Sequence, residues 1–350
     1  MNTVSSTLHG VRAGLACLVL VVSSLVIPVV VAGPAGAPPE SSGNDLDNLR
    51  WAIDLSTRGS YMEGTDNWSG QYALGLDVHK VFSGPSGDIG TLLFQSYLVR
   101  LDNNTYPPYF FDDGDDWELV WRITNFNYTA LAQGRFNIRV GHFEVPFGLE
   151  QNINTNGTLR QFTFKDRGIK ADWGATINGV LTALEYEIAV SRGSGNDIRS
   201  TDDPFLVAGR IGSRSERNLI VGLSLLRGKI LGTNGTTERT RAGLDLAWYR
   251  GLLEVLLEVS GGEDAGTDTV NGLAELSLRN PMETLHGWLQ LRHYQRDTAT
   301  GWDASSSATL GMAWEPDQHW SLSSQWIEPL EQLNGQDEGS KFQLQARYRL

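Results

Sequence analysis

From Arg50 to Leu350 the chain alternates apolar and polar residues in about sixteen segments of roughly ten residues, separated by turn-forming stretches. Period two means a strand with one greasy and one polar face. Clear examples are "WELVWRI" (117–123), "RFNIRVGHF" (135–143), "ALEYEIAV" (183–190) and "NLIVGLSLL" (218–226). In "RAGLDLAWY" (241–249) Ala242, Leu244, Leu246 and Trp248 form the apolar face; in "SSATLGMAW" (306–314) it is Ala308, Leu310, Met312 and Trp314. No stretch sustains a helical period. A chain of this kind folds as a sandwich, a jelly roll or a closed barrel.

The connections select among these. Tight links near 129–134, 179–182, 213–217, 250–251, 280–284 and 315–318 alternate with long ones, including "DNNTYPPYFFDDGDD", "RGSGNDIRSTDDP", "GKILGTNGTTE", "GGEDAGTDT" and "EPLEQLNGQDEGS". Short turns on one rim and long loops on the other mark a transmembrane antiparallel up-and-down barrel of the bacterial outer membrane. "SGPSGDIG" (83–90) is expected to be a longer exception on the short rim. A mean hydropathy of −0.25 is compatible with that reading, because alternating strands average to neutral. Trp117, Trp173, Trp248, Trp314, Trp320 and Trp326 share the apolar parity near strand ends, where an interfacial girdle sits. The closing run "SKFQLQARYRL" alternates down to Leu350, as expected for a last strand that pairs with the first and faces lipid.

Residues 1–32 differ. Arg12 precedes an apolar run ending at Val30-Val31-Ala32, the pattern of a cleaved export signal. Residues 33–49 read as a flexible lead-in and 50–350 as the barrel domain. The single cysteine, Cys17, lies in the signal, so the exported chain is expected to carry no thiol.

The formal net charge of −13 belongs mainly to the long links, which disfavours nucleic acid as a partner. Asp112, Asp113, Asp115 and Asp116 form the densest acidic cluster, a solvated loop or a divalent-cation bridge to lipopolysaccharide. The polar strand face, which would line the lumen, mixes Arg135, Arg139, Lys170, Arg210, Arg241 and Arg347 with Asp172, Glu187, Asp245, Glu254 and Glu258. This describes a wet channel with a transverse field. Arg135 and Arg139, on one face of one strand, are the leading anion-contacting pair. The longest link, "VPFGLEQNINTNGTLRQFTFKDR" (145–167), carries Phe147, Leu149, Phe162 and Phe164. A loop so apolar must bury those residues, so it is expected to fold inward after the fifth strand and narrow the lumen. Glu150, Arg160 and Lys165 are its polar candidates.

"RVGHFEVPFGLEQ" followed by "KDRGIKADWG" resembles the phosphate-selective porin O and P family through Gly141, Phe143, Pro146, Phe147, Leu149 and Glu150, then Asp166 and Arg167. The match is local, over residues 135–195. It implies a sixteen-stranded, trimeric channel passing small anions. The expected function is therefore passive diffusion of small hydrophilic solutes or anions across a Gram-negative outer membrane, with no cofactor and with lipid and lipopolysaccharide as surroundings. One alternative is a sheath enclosing a partner such as an electron-carrier protein. The other is an outer-membrane enzyme, disfavoured because the histidines outside the signal (His79, His142, His286, His293, His319) accompany no G-x-S-x-G motif.

Overall fold

The structure, a computed structural model, describes residues 48–350 except 65–66, 86, 104–115, 163–166, 199–201 and 336–338. The expected export signal and nearly all of the lead-in lie outside the described residues, as do Cys17, Asp112, Asp113, Asp115 and Lys165.

Sixteen antiparallel strands among the described residues close into one barrel, each paired with its sequence neighbours. The first quarter comprises β1 (Leu49–Met62), β2 (Asn67–Gly84), β3 (Gly87–Asp102) and β4 (Trp117–Tyr128). The second holds β5 (Asn137–Glu144), β6 (Ala171–Val180), β7 (Leu184–Ser191) and β8 (Phe205–Ser213). Then come β9 (Leu219–Gly232), β10 (Gly235–Arg250), β11 (Leu253–Asp264) and β12 (Thr267–Arg279). The last four are β13 (Leu285–Thr298), β14 (Gly301–Trp314), β15 (Trp320–Glu331) and β16 (Lys341–Arg349). A single 3-10 turn, Gly148–Gln151, is the helical element among the described residues, and no helix there is long and apolar enough to cross a membrane.

Closure is made by β16 on β1, from Asp54 opposite Arg349 to Met62 opposite Lys341. The Leu350 N–H extends this seam by donating to the Ile53 carbonyl at 2.9 Å. An up-and-down sheet closed in this way has no edge, so its strands satisfy each other's backbone groups without water.

Side-chain alternation divides the wall as the sequence implied. On β10 the outward Leu244 is 59% exposed, whereas the inward Arg241 is 1% and Asp245 5% exposed. Leu276, Leu289 and Leu310 lie opposite one another across β12, β13 and β14 and form part of the outer belt. About four outward apolar residues per strand, spaced at about 6.8 Å along tilted strands, match a hydrocarbon band of roughly 25 Å.

Three connections depart from the sequence reading. "SGPSGDIG" is no long link, because β2 and β3 run together until Gly84 pairs with Gly87. "GKILGTNGTTE" and "GGEDAGTDT" are absorbed into β9–β12, leaving links of two residues at 233–234 and 265–266. Ala265 and Gly266 both have positive φ (48° and 82°), the backbone that a two-residue hairpin needs to match strand twist. The long links on that rim are 103–116, 145–170, 192–204 and 332–340. On the opposite rim Asp317 ends the β14–β15 link by accepting the backbone N–H groups of His319 (2.8 Å) and Trp320 (2.9 Å). Those bonds hold its carboxyl below the usual range.

Leu289→Arg, in the middle of the outer belt, should cost about 2–4 kcal/mol of stability in lipid vesicles. The same change at the inward Ser323 should cost much less; urea unfolding of both variants checks the assignment of faces.

Candidate functional site: the lumen and its inward loop

Residues 145–162 leave β5 and cross the lumen, and residues 167–170 lead into β6. Two apolar contacts seat the loop on the inner wall. Val145, Phe147 and Ile169 pack on Leu206 and Ala208 of β8 and Leu226 and Ile230 of β9. Leu149 and Phe162 pack on Ile220, Ala247, Leu256 and Leu273, from β9 to β12. Phe147 is fully buried, and a Cβ on Gly243 of β10 would stand 2.7 Å from its ring. Gly148 has φ of 65° and faces the Glu258 carboxylate so closely that a side chain there would collide with it.

Polar contacts fix the loop around these anchors. The Gly148 N–H donates to Ser224 Oγ (3.0 Å) and the Leu149 N–H to Glu258 Oε2 (2.7 Å). Arg167 pairs with Glu258, reaches Glu150 at 3.4 Å, and lies 4.7 Å from the Phe147 ring centre. Arg160 pairs with Glu275 and with Glu254 (3.1 Å) while stacking over Phe162. Gln290 of β13 donates to the Gln161 carbonyl at 3.1 Å. On the far side of the barrel, Arg58 of β1 donates to the Thr158 carbonyl (3.1 Å) and Gln345 of β16 to the Gly157 carbonyl (2.6 Å). The loop is therefore tied to opposite walls.

The site residues expected from sequence separate into groups. Glu150 and Lys170 meet within the loop at 3.2 Å, where Lys170 also donates to Thr155 Oγ1 (2.7 Å). Arg210 pairs with Asp245 at 2.6 Å, Arg241 with Asp264 at 2.7 Å, and Arg347 with Asp54. The Arg135–Arg139 pair does not form on one strand. Arg135 is exposed in the link before β5, and Arg139 pairs with Glu187 of β7 at 2.9 Å. The pairing of β5 starts two residues later than the alternation suggests, at Asn137. Asp172 does not line the lumen either: buried, it accepts the N–H groups of Gly193 (2.5 Å), Ser194 (3.3 Å) and Gly195 (3.0 Å) and shapes the link after β7. His142 faces outward as its parity implied, buried against Trp173 and hydrogen-bonded to the Arg122 carbonyl at 2.7 Å.

Sequence reasoning expected a transverse field but did not place its walls. Asp245, Glu254, Glu258 and Glu275 project inward from β10–β12, and the loop's Arg160 and Arg167 cover the last three. Across the lumen stand Arg58, Arg122, Arg347 and Arg349 with Asp54, Asp77 and Tyr97. Asp54 and Asp77 take Arg347 and Arg349. Arg122 lies 4.5 Å over the Tyr97 ring, and its Nη1 and Arg58 Nε find no hydrogen-bond partner among the described residues. Arg122 shares parity with Glu118 in "WELVWRI", which was the available signal. The opposition of the walls needed the closed barrel. Among the described residues no group of acids, histidines or cysteines is arranged to hold a metal; Asp116 is the described member of the acidic cluster.

No protein-family model matches the chain, and no curated protein matches it. Its fold is similar to solved outer-membrane barrels at low identity. Salmonella typhi OmpF, in complex with daunomycin, has a TM-score of 0.64 at 9% identity, covering 86% of this chain and 97% of that one. An anion-selective porin from Comamonas acidovorans scores 0.59 at 13% identity, with 86% and 99% covered. The outer membrane channel DcaP of Acinetobacter baumannii scores 0.58 at 10%, with 86% and 97% covered.

Arg160→Ala should leave Glu254 and Glu275 facing each other without a cation, weakening loop docking by about 3 kcal/mol. The variant loop should become cleavable by added protease, whereas Arg160→Ala combined with Glu254→Gln and Glu275→Gln should regain protection.

Proposed function

We propose that this chain is a porin: a passive channel for small hydrophilic solutes in a Gram-negative outer membrane, reached through a cleaved export signal. The observation that carries the reading is the loop, seated by buried apolar residues yet tied by Arg160 and Arg58 to opposite walls of a lumen lined by charge. A constriction of this construction restricts size, while the polar wall keeps the path wet. The same ties argue against a sheath, since a protein partner would have to displace the loop from both walls.

The field across the constriction favours mild anion preference. On the acidic wall the loop's Arg160 is shared by Glu254 and Glu275 and its Arg167 pairs with Glu258, so most of that wall's negative charge is offset. On the opposite wall Arg58 and Arg122 form no ion pair among the described residues, bonded instead to the Thr158 carbonyl and stacked over Tyr97. A small oxyanion in transit is drawn by their charge without having to break an ion pair. Phosphate-like solutes suit this geometry, in keeping with the likeness of residues 135–195 to phosphate-selective porins O and P. A trimer is the assembly that the same likeness implies.

In planar bilayers the protein should give stepwise currents, with a reversal potential under a salt gradient displaced modestly toward that of the anion. Arg58→Glu with Arg122→Glu should move it toward the cation. Stepwise current without any displacement on this double change would end the anion assignment, and absence of steps would end the channel.

A further inference from the structure

The outer belt ends in a polar cluster that the channel does not use. Toward the rim of the long links, the outward sequence on β13 changes from Leu289 and Leu291 to His293 and Gln295, and on β14 from Leu310 and Ala308 to Ser306. Pairing of β13 with β14 sets His293 opposite Ser306. Their side chains meet: His293 Nδ1 is 2.9 Å from Ser306 Oγ, and His293 Nε2 is 3.4 Å from Gln295 Oε1. With the proton on Nε2, donated to Gln295, Nδ1 is left to accept the serine hydroxyl proton. This is the order of base, nucleophile and orienting group that activates a serine. Glu331 offers Ser306 Oγ a longer alternative at 3.3 Å. The ladder between β14 and β15 breaks its register between Ser306 and Ser307, an irregularity that re-aims side chains out of the regular pleat.

A groove of about 770 Å³ reaches this pair. Gly272 and Ala274 of β12 form its floor, and Leu244, Leu257, Val259 and Leu291 rise beside them from the apolar belt. The groove therefore runs from hydrocarbon depth up to His293 and Ser306 at the belt edge. In a bilayer that edge is where ester carbonyls lie, between acyl chains and headgroups. Glu328, held by Trp326 Nε1 (3.0 Å) and Ser340 Oγ (2.7 Å), and Glu331 make the flank acidic.

We infer that His293 and Ser306 form an acyl-ester hydrolase site on the lipid-facing wall, acting on glycerophospholipids with an amine-bearing headgroup. Ser306 Oγ adds to the ester carbonyl carbon as its proton passes to His293 Nδ1. The carbonyl-to-alkoxy bond breaks, and the lysophospholipid alcohol leaves with that proton. Water then attacks the acyl-serine, giving its proton to His293, and the fatty acid departs as Ser306 regains its hydrogen. The acyl chain would occupy the groove, and the ammonium would meet Glu328 and Glu331. The acidic flank disfavours lipid A, the other acyl ester at this surface, because its phosphates carry no balancing ammonium.

The test is release of fatty acid, read by mass spectrometry, from dioleoyl phosphatidylethanolamine and from lipid A in mixed micelles with the purified protein. A fluorophosphonate probe should label Ser306. Oleate release is expected, and Ser306→Ala should reduce it by about 10³-fold or more. His293→Gln should do likewise, with single-channel currents of both variants unchanged to show an intact barrel. Release from lipid A alone would overturn the phospholipid assignment. No release from either lipid, or release undiminished in Ser306→Ala, would overturn the site.

Discussion

A backbone amide in hydrocarbon has no water to bond, and leaving it unpaired costs several kcal/mol. That constraint organises the whole molecule. Strands meet it only when the sheet has no edge, so β16 must find β1, and it does so along a continuous seam ending at Leu350. Closure then creates two surfaces of opposite character from one alternating sequence. The outward one is made of leucine, valine and aromatic residues. The inward one is free to carry arginine and glutamate at a density no lipid-facing surface would tolerate.

The lumen faces a second problem of the same kind. Its charged side chains are crowded, and an unpaired ion at such a site is unfavourable. The loop after β5 resolves this asymmetrically. Phe147, Leu149 and Phe162 give it apolar footing on β8–β12, and Arg160 and Arg167 bring cations to the acids of β10–β12. Among the described residues the opposing wall receives carbonyl oxygens from the loop, at residues 156–158, which do not neutralise its arginines. One segment thus crosses the lumen and leaves its two walls unequally paired.

Much of this was readable from alternation and loop composition. Trp248, Leu246 and Leu244 announced an outward face, and Phe147 and Phe162 announced a loop that had to be buried. What failed depended on where strands stop: Arg135 lies before β5, and residues 228–238 belong to β9, β10 and their two-residue turn. Strand ends are set by pairing with neighbours, which alternation within one segment does not record. Contacts across the lumen, such as Arg58 with Thr158, depend on closure and were invisible. The His293–Ser306 contact lies between these extremes. It follows from the β13–β14 register, and a search for a linear serine motif passes over it because the two residues are joined by a hairpin.

The central claim is that residues 145–162 occupy the lumen and set its width. It is tested most directly by deleting residues 152–162, the part of the loop that spans from the 3-10 turn to Phe162, and measuring unit conductance in planar bilayers. The account requires a stable barrel whose current steps grow severalfold. Steps of unchanged size from the shortened protein would place the loop outside the conducting path and contradict it.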